Sequence, residues 1–327
     1  MLMYFGTICI FRSIINSQIK FYRTLSNQSK IIKIVEVAPR DGLQNEKKIL
    51  SSADKIKFID KLSDTGLKYI EATSFVSAEW IPQLADGFEV MRGINRHEGI
   101  IYSALVPNMT GFKKALDCQV DEIAVFGAVS ETFCKKNINC SIEDSFKRFT
   151  PVIEAAKKAN LRVRGYVSCI IGCPYEGPIH PRKSASIISR MLTMGCYEVS
   201  LGDTIGSGSP DSWRTLINMC YQEFGIPLSK MAVHCHDISG GAAAIDNIEA
   251  ALEMGITTID SSTGGIGGCP YADGIARGNV PTEDVIHKLN QLHLNTGVDV
   301  DKVLDAGNFI CKILNIQNIS RYASLKH

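Results

Sequence analysis

Short apolar runs alternate along the chain with longer amphipathic stretches. The runs are IIKIVEV (31–37), KYIEATS (68–74), IIYSALV (100–106), DEIAVFG (121–127), RVRGYVSC (162–169), YEVSLGD (197–203), MAVHCHD (231–237) and TTIDSS (257–262). β-Branched and aromatic residues at alternate positions predict strands. Between them, stretches such as ADKIKFIDKLSDTG, EDSFKRFTPVIEAAKKAN and SASIISRMLTMG carry apolar residues at helical spacing and close on a Gly or Asn suited to a helix C-cap. Strands alternating with helices in this number predict an α/β fold, a (β/α)8 TIM barrel. PTEDVIHKLNQLHL and DVDKVLDAGNFICKILN read as additional C-terminal helices after the barrel closes. A doubly wound open sheet is the rival, but it would normally carry a glycine-rich dinucleotide turn after its first strand. Here PRDGLQNE follows instead.

Barrel enzymes place their chemistry at the C-terminal ends of the strands. Those ends hold Arg40 and Asp41, Glu71, Asn108, Tyr166, Asp203, and His234 with His236, and the eighth is followed by GGIGGCPYADGIARGN. Residues i and i+2 of a strand share a face. His234 and His236 therefore point the same way, and Cys235 points into the strand–helix layer. That geometry argues for a two-imidazole face and against a Cys–His zinc pair, although a strand histidine can equally be structural. Arg40-Asp41 reads either as an ordinary turn or as an oxyanion-stabilising cation beside a metal-ligating carboxylate. Glu71 sits within an apolar strand and needs a partner, for which Arg40 or a histidine is the natural candidate. Asp203 suits a structural N-cap as well as catalysis. The glycine-rich stretch lacks the GxxxxGK pattern of a phosphate loop. It is either a plain connection or a mobile lid that brings Cys269 to a substrate.

Composition narrows the field. At 327 residues, with 45% apolar and 21% charged residues, the chain has the make-up of a soluble globular protein. The net charge is +1, yet residues 1–30 hold Arg12, Lys20, Arg23 and Lys30 and no acid, which leaves the remainder net negative. Such a body offers no basic field for nucleic acid. The basic, hydroxyl-bearing N-terminus fits a mitochondrial transit peptide over residues 1–28; its apolar run ends at Arg12, too short to span a membrane. Eleven scattered cysteines without a CxxC point to a reduced compartment and mostly to packing roles.

The segments EVAPRDGLQNEK, IEATSFVS, KKNINCSIEDSF, VRGYVSCIIGCPYEG, SLGDTIG, AVHCHD, GGCPYA and AGNFICK resemble the 3-hydroxy-3-methylglutaryl-CoA lyase family, over roughly residues 31–316. GGCPYA separates that family from related synthases. The resemblance implies a single lyase domain over 29–327, in the mitochondrial matrix, that cleaves its acyl-CoA to acetyl-CoA and acetoacetate in leucine degradation and ketone-body formation. It also implies a divalent cation, Mg²⁺ or Mn²⁺, held by Asp41, His234, His236 and Asn279, the oxygen-rich set such ions prefer. Arg40, Asp41, Glu71, Asp203, His234 and Cys269 would carry catalysis. Arg40, Gln44, Asn137 and Tyr166 would meet the substrate. A homodimer is expected by the same analogy, with neither nucleic acid nor membrane as partner. The chain departs from the family after HCHD, with ISGGAAAIDN for the usual TYGQALAN, and in GGCPYADGIARGN, one residue longer between Cys269 and Asn279. A diverged paralogue that binds acyl-CoA with little or no turnover is therefore the alternative.

Overall fold

The computed structural model describes residues 31–238, 243–268 and 276–326. The proposed transit peptide, the ISGG departure beyond Ile238 and Cys269 lie outside these residues. Eight parallel strands follow one another around a closed sheet: β1 (Lys33–Glu36), β2 (Tyr69–Ser74), β3 (Ile101–Leu105), β4 (Glu122–Ala128), β5 (Arg162–Ser168), β6 (Glu198–Asp203), β7 (Met231–Ile238) and β8 (Thr258–Ser261). β8 pairs with β1 on one side and β7 on the other, and this closes the barrel expected from the strand count. Each strand matches its run, with β4 and β7 extending one residue beyond it, to Ala128 and Ile238.

The helices form where apolar spacing and a cap coincide. Ser51 accepts from the Asp54 N–H to start Ser52–Ser63, which buries Phe58, Ile59 and Leu62. Ser141 caps Ile142–Lys158, whose Phe146, Phe149, Val152, Ile153 and Ala156 form one inward stripe. Each large apolar side chain so buried contributes about 1.5–3 kcal/mol. The outward-facing strand residues Val163, Val167, Val199, Leu201, Val233, Cys235 and Ile259 join the same core.

The inside of the barrel is different. Register places Arg164 beside Glu198, Tyr166 beside Ser200, and His234 between Gly202 and Asp260. Polar and charged residues thus alternate with apolar ones along β5, β6, β7 and β8, and the polar set faces inward. Among the described residues, three elements outside the sequence reading stand out. They are a small hairpin pairing 172–173 with 177–178, a short helix Arg321–Leu325 after the two expected C-terminal helices, and a strand β9 (Ala276–Asn279) antiparallel to β7. β9 arises inside the stretch read as a connection or lid, because glycine there permits backbone on backbone. A Cβ on Gly278 would stand 1.7 Å from the Gly267 carbonyl oxygen, and one on Gly267 would stand 2.7 Å from the Gly42 Cα. Gly267 and Gly278 also hold positive φ, at 92° and 139°.

Candidate active site

The chain leaves β1 through a tight turn, Ala38–Gly42, in which the N–H groups of Arg40, Asp41 and Gly42 all converge on the Val37 carbonyl. This turn aims two side chains over the barrel mouth. The Arg40 guanidinium is buried, donates from Nε to Glu71 Oε2 at 2.6 Å, and pairs with the neighbouring Asp41. It also lies over the Tyr166 ring, 5.0 Å from its centroid. Glu71 therefore has the partner its apolar strand demands. Its Oε2 additionally accepts from the Tyr166 hydroxyl at 3.1 Å. Burial pushes the Glu71 carboxyl up while Arg40 draws it back.

His234 and His236 project from β7 into the same space, and Cys235 packs outward in the core. The two Nε2 atoms face each other at 3.2 Å, and Asp41 Oδ2 lies 3.8 Å from His234 Nε2. One donor atom from each of Asp41, His234 and His236 lies within 4.8 Å of the others. β9 sets Asn279 opposite His236, where its Nδ2 donates to Asp41 Oδ2 at 2.9 Å. Burial would raise the Asp41 carboxyl, but Arg40 and the two imidazoles outweigh it and hold it down at about 2. Burial and the neighbouring His234 lower His236 to about 4. An ionised carboxylate, two converging imidazoles and a carboxamide are a donor set that a small divalent cation fits. The buried His236 Nδ1 has no partner among the described residues.

These groups line the end of a cavity of about 430 Å³ walled by Arg40, Asp41, Gln44, Asn137, Tyr166, His234 and His236 among others. Gln44, Asn137 and Tyr166 thus stand on its wall. Asn108 lines it too, but its Oδ1 is occupied in capping the helix Met109–Asp117, accepting from the Gly111 N–H at 3.0 Å. Asp203 does not join the cluster. Its two oxygens accept from the N–H groups of Ser207 and Gly208, at 3.0 and 2.8 Å, and so hold the turn after β6 that carries the cavity residue Thr204. It is not the N-cap either: Ser209 caps the helix Pro210–Asn218 that follows, and Asp203 braces the turn leading into it.

Sequence reasoning passed over the layer beneath. Asp260 on β8 approaches His234 Nδ1 at 3.3 Å and is gripped by Arg164 and Ser200. The signal was present as single polar residues at alternate positions of RVRGYVS, EVSLGD and TTIDSS.

The HMGL-like family model matches residues 31–310. The mitochondrial hydroxymethylglutaryl-CoA lyase of Macaca fascicularis is 53% identical over 294 residues, covering 90% of this chain and 89% of that protein. The cytoplasmic 3-hydroxy-3-methylglutaryl-CoA lyase of Rattus norvegicus is 55% identical over 299 residues, covering 91% and 86%. The crystal structure of hydroxymethylglutaryl-CoA lyase from Pseudomonas aeruginosa aligns with a TM-score of 0.87 at 51% identity, over 91% of this chain and 97% of that one.

Proposed function

The chain belongs to the HMGL-like family, among the hydroxymethylglutaryl-CoA lyases, and we propose that Arg40, Asp41, His234 and His236 are the groups nearest its reacting atoms. The protein is a carbon–carbon lyase that cleaves 3-hydroxy-3-methylglutaryl-CoA to acetyl-CoA and acetoacetate. The observation that carries the assignment of roles is the meeting of Asp41, His234 and His236 at the cavity end where Arg40 is held by Glu71.

Asp41, His234 and His236, with Asn279 beside Asp41, would hold the divalent cation. When bound, Mg²⁺ or Mn²⁺ supplies Lewis-acid polarisation of the substrate's hydroxyl and carboxylate oxygens. The chain's own groups do the rest. Asp41 and His234 are the two acceptors placed to take the tertiary hydroxyl proton. Loss of that proton turns C3 into the ketone of acetoacetate as the C2–C3 bond breaks, and the bonding pair passes to the acetyl-CoA enolate. Arg40 stabilises the enolate oxygen, and its fixed pairing with Glu71 means that little reorganisation is needed as that charge develops. Cys269 would return a proton to the carbanion. Glu71 orients Arg40, and Asp203 holds the turn that carries Thr204. Gln44, Asn137 and Tyr166 line the substrate's path.

Acetoacetate release by the full-length protein, given Mg²⁺ or Mn²⁺ and 3-hydroxy-3-methylglutaryl-CoA beside a His236→Ala control, tests this reading. Metal-dependent release that the control lacks supports it; no metal-dependent release from folded protein overturns it. Residues 1–28 are proposed to direct the chain to the mitochondrial matrix. A fluorescent protein carrying them is expected inside mitochondria, and cytosolic fluorescence would refute the signal. A homodimer is proposed as the solution state, to be read by sedimentation.

A further inference from the structure

His234 is held from behind, and its neighbour is not. Its Nδ1 lies 3.3 Å from Asp260 Oδ2, while its Nε2 turns toward His236 and Asp41. His236 Nδ1 has no such partner among the described residues. Asp260 is fixed in turn. Its Oδ1 accepts from Arg164 Nη2 at 2.7 Å, and its Oδ2 accepts from Arg164 Nη1 at 3.0 Å and Ser200 Oγ at 2.6 Å. Arg164 Nε donates to Glu198 Oε1 at 2.8 Å, and Glu198 Oε2 accepts from Lys33 Nζ at 2.8 Å and Thr258 Oγ1 at 3.1 Å. The result is a continuous column from the floor of the barrel to one imidazole. None of Lys33, Glu198, Arg164 and Asp260 lines the cavity.

Every donor around Asp260 points at it, so what it can offer His234 is a lone pair. It thus selects the tautomer with the proton on Nδ1 and leaves the Nε2 lone pair directed at the cluster. Without it, a neutral His234 could carry its proton on Nε2 and donate to His236 or Asp41, and it would then have no lone pair for a cation. We infer that Asp260 is a positioning residue for His234, anchored by Arg164, and that this pair sets the cation affinity of the site without touching cation or substrate. The inference rests on the metal-dependent reading above.

Mn²⁺ titration of the full chain, followed by the electron paramagnetic resonance of the free ion, separates the two. Asp260→Asn keeps the shape; with its oxygen in the Oδ1 place it still accepts from Arg164 Nη2, while its NH2 group replaces the oxygen that faced Arg164 Nη1, Ser200 and His234 and so presents N–H to His234, which forces the other tautomer. The variant is expected to bind Mn²⁺ about 10–100-fold more weakly than wild type. Glu198→Gln, at the far end of the column, is expected to lower thermal stability with affinity within about threefold of wild type, since it leaves the Asp260–His234 contact in place. Wild-type binding matched by Asp260→Asn within twofold would overturn the positioning role alone, as would equal weakening in both variants at equal loss of stability. No Mn²⁺ binding by wild type would overturn the metal reading beneath it. Should Asp260→Asn fail to fold, histidine-labelled ¹⁵N spectra of the wild-type chain without metal decide. A proton on His234 Nδ1 supports the inference, and one on Nε2 refutes it.

Discussion

Arg40 concentrates the chemistry of the cavity in one side chain, and it is tied into the fold by the same atoms. Its guanidinium is buried against Glu71, Asp41 and the face of Tyr166. Replacing it by Gln removes the cation aimed at the enolate oxygen, and kcat is expected to fall about 10²–10³-fold. The same change strands Glu71 without a counter-charge, so unfolding in denaturant should show a loss of about 3–5 kcal/mol. A variant that loses activity at unchanged stability would contradict the pairing described here. At this scale the sequence was informative where a charged residue stood at a strand end. Arg40, Asp41 and both histidines were legible for that reason, and Glu71 because a carboxylate within an apolar strand needed a counter-charge. Asp260 and Arg164 were not, because one polar residue inside an apolar run looks like an ordinary strand position until its cross-strand neighbours are known.

β9 shows what an element can do that its residues do not announce. Backbone contact among Gly42, Gly267 and Gly278 lets a strand run back along β7 and deliver Asn279 to Asp41. A methyl group at Gly278 has no room beside the Gly267 carbonyl. Gly278→Ala is therefore expected to lower thermal stability by about 1–3 kcal/mol. It should weaken Mn²⁺ binding with it, because Asn279 no longer reaches the cluster. Unchanged affinity in the folded variant would show that Asn279 does no work there. The barrel strands were legible from periodicity because each is a buried run with its own pattern. β9 was hidden because its residues, ARGN, carry no apolar alternation, and its pairing is decided by the space around glycines distant in sequence.

Across the whole molecule, two buried carboxylates tie the closure of the barrel to the C-terminal segments that follow it. Glu36 at the end of β1 accepts from the N–H groups of Ala38 and Thr263 and from the hydroxyl of Thr282. Glu283 accepts from the Gly264 N–H at 3.0 Å and from Asn318 at 3.2 Å. Burial, with Glu36 nearby, pushes the Glu283 carboxyl up to about 8 against the pull of those hydrogen bonds. Its stabilising contribution is therefore complete below the ordinary carboxylate range, and it is lost as pH rises through about 8. Over that interval the loss is on the order of 5 kcal/mol. Denaturant unfolding should show Glu283→Gln relatively more stable than wild type at pH 8 than at pH 5. Parallel pH profiles for the two proteins would refute the raised value.

The column beneath His234 bears on how such a chain can change over generations. Lys33 and Arg164 alternate with Glu198 and Asp260, so the charges cancel only as a set. Losing Arg164, Glu198 or Asp260 leaves a buried partner short of its counter-charge at a cost of about 3–5 kcal/mol, a large part of the margin by which a domain stays folded. Drift at these positions is thus confined to paired replacements, and the first step of each pair is nearly always purged. Lineages should inherit the column whole or exchange it in blocks, however far their surfaces diverge.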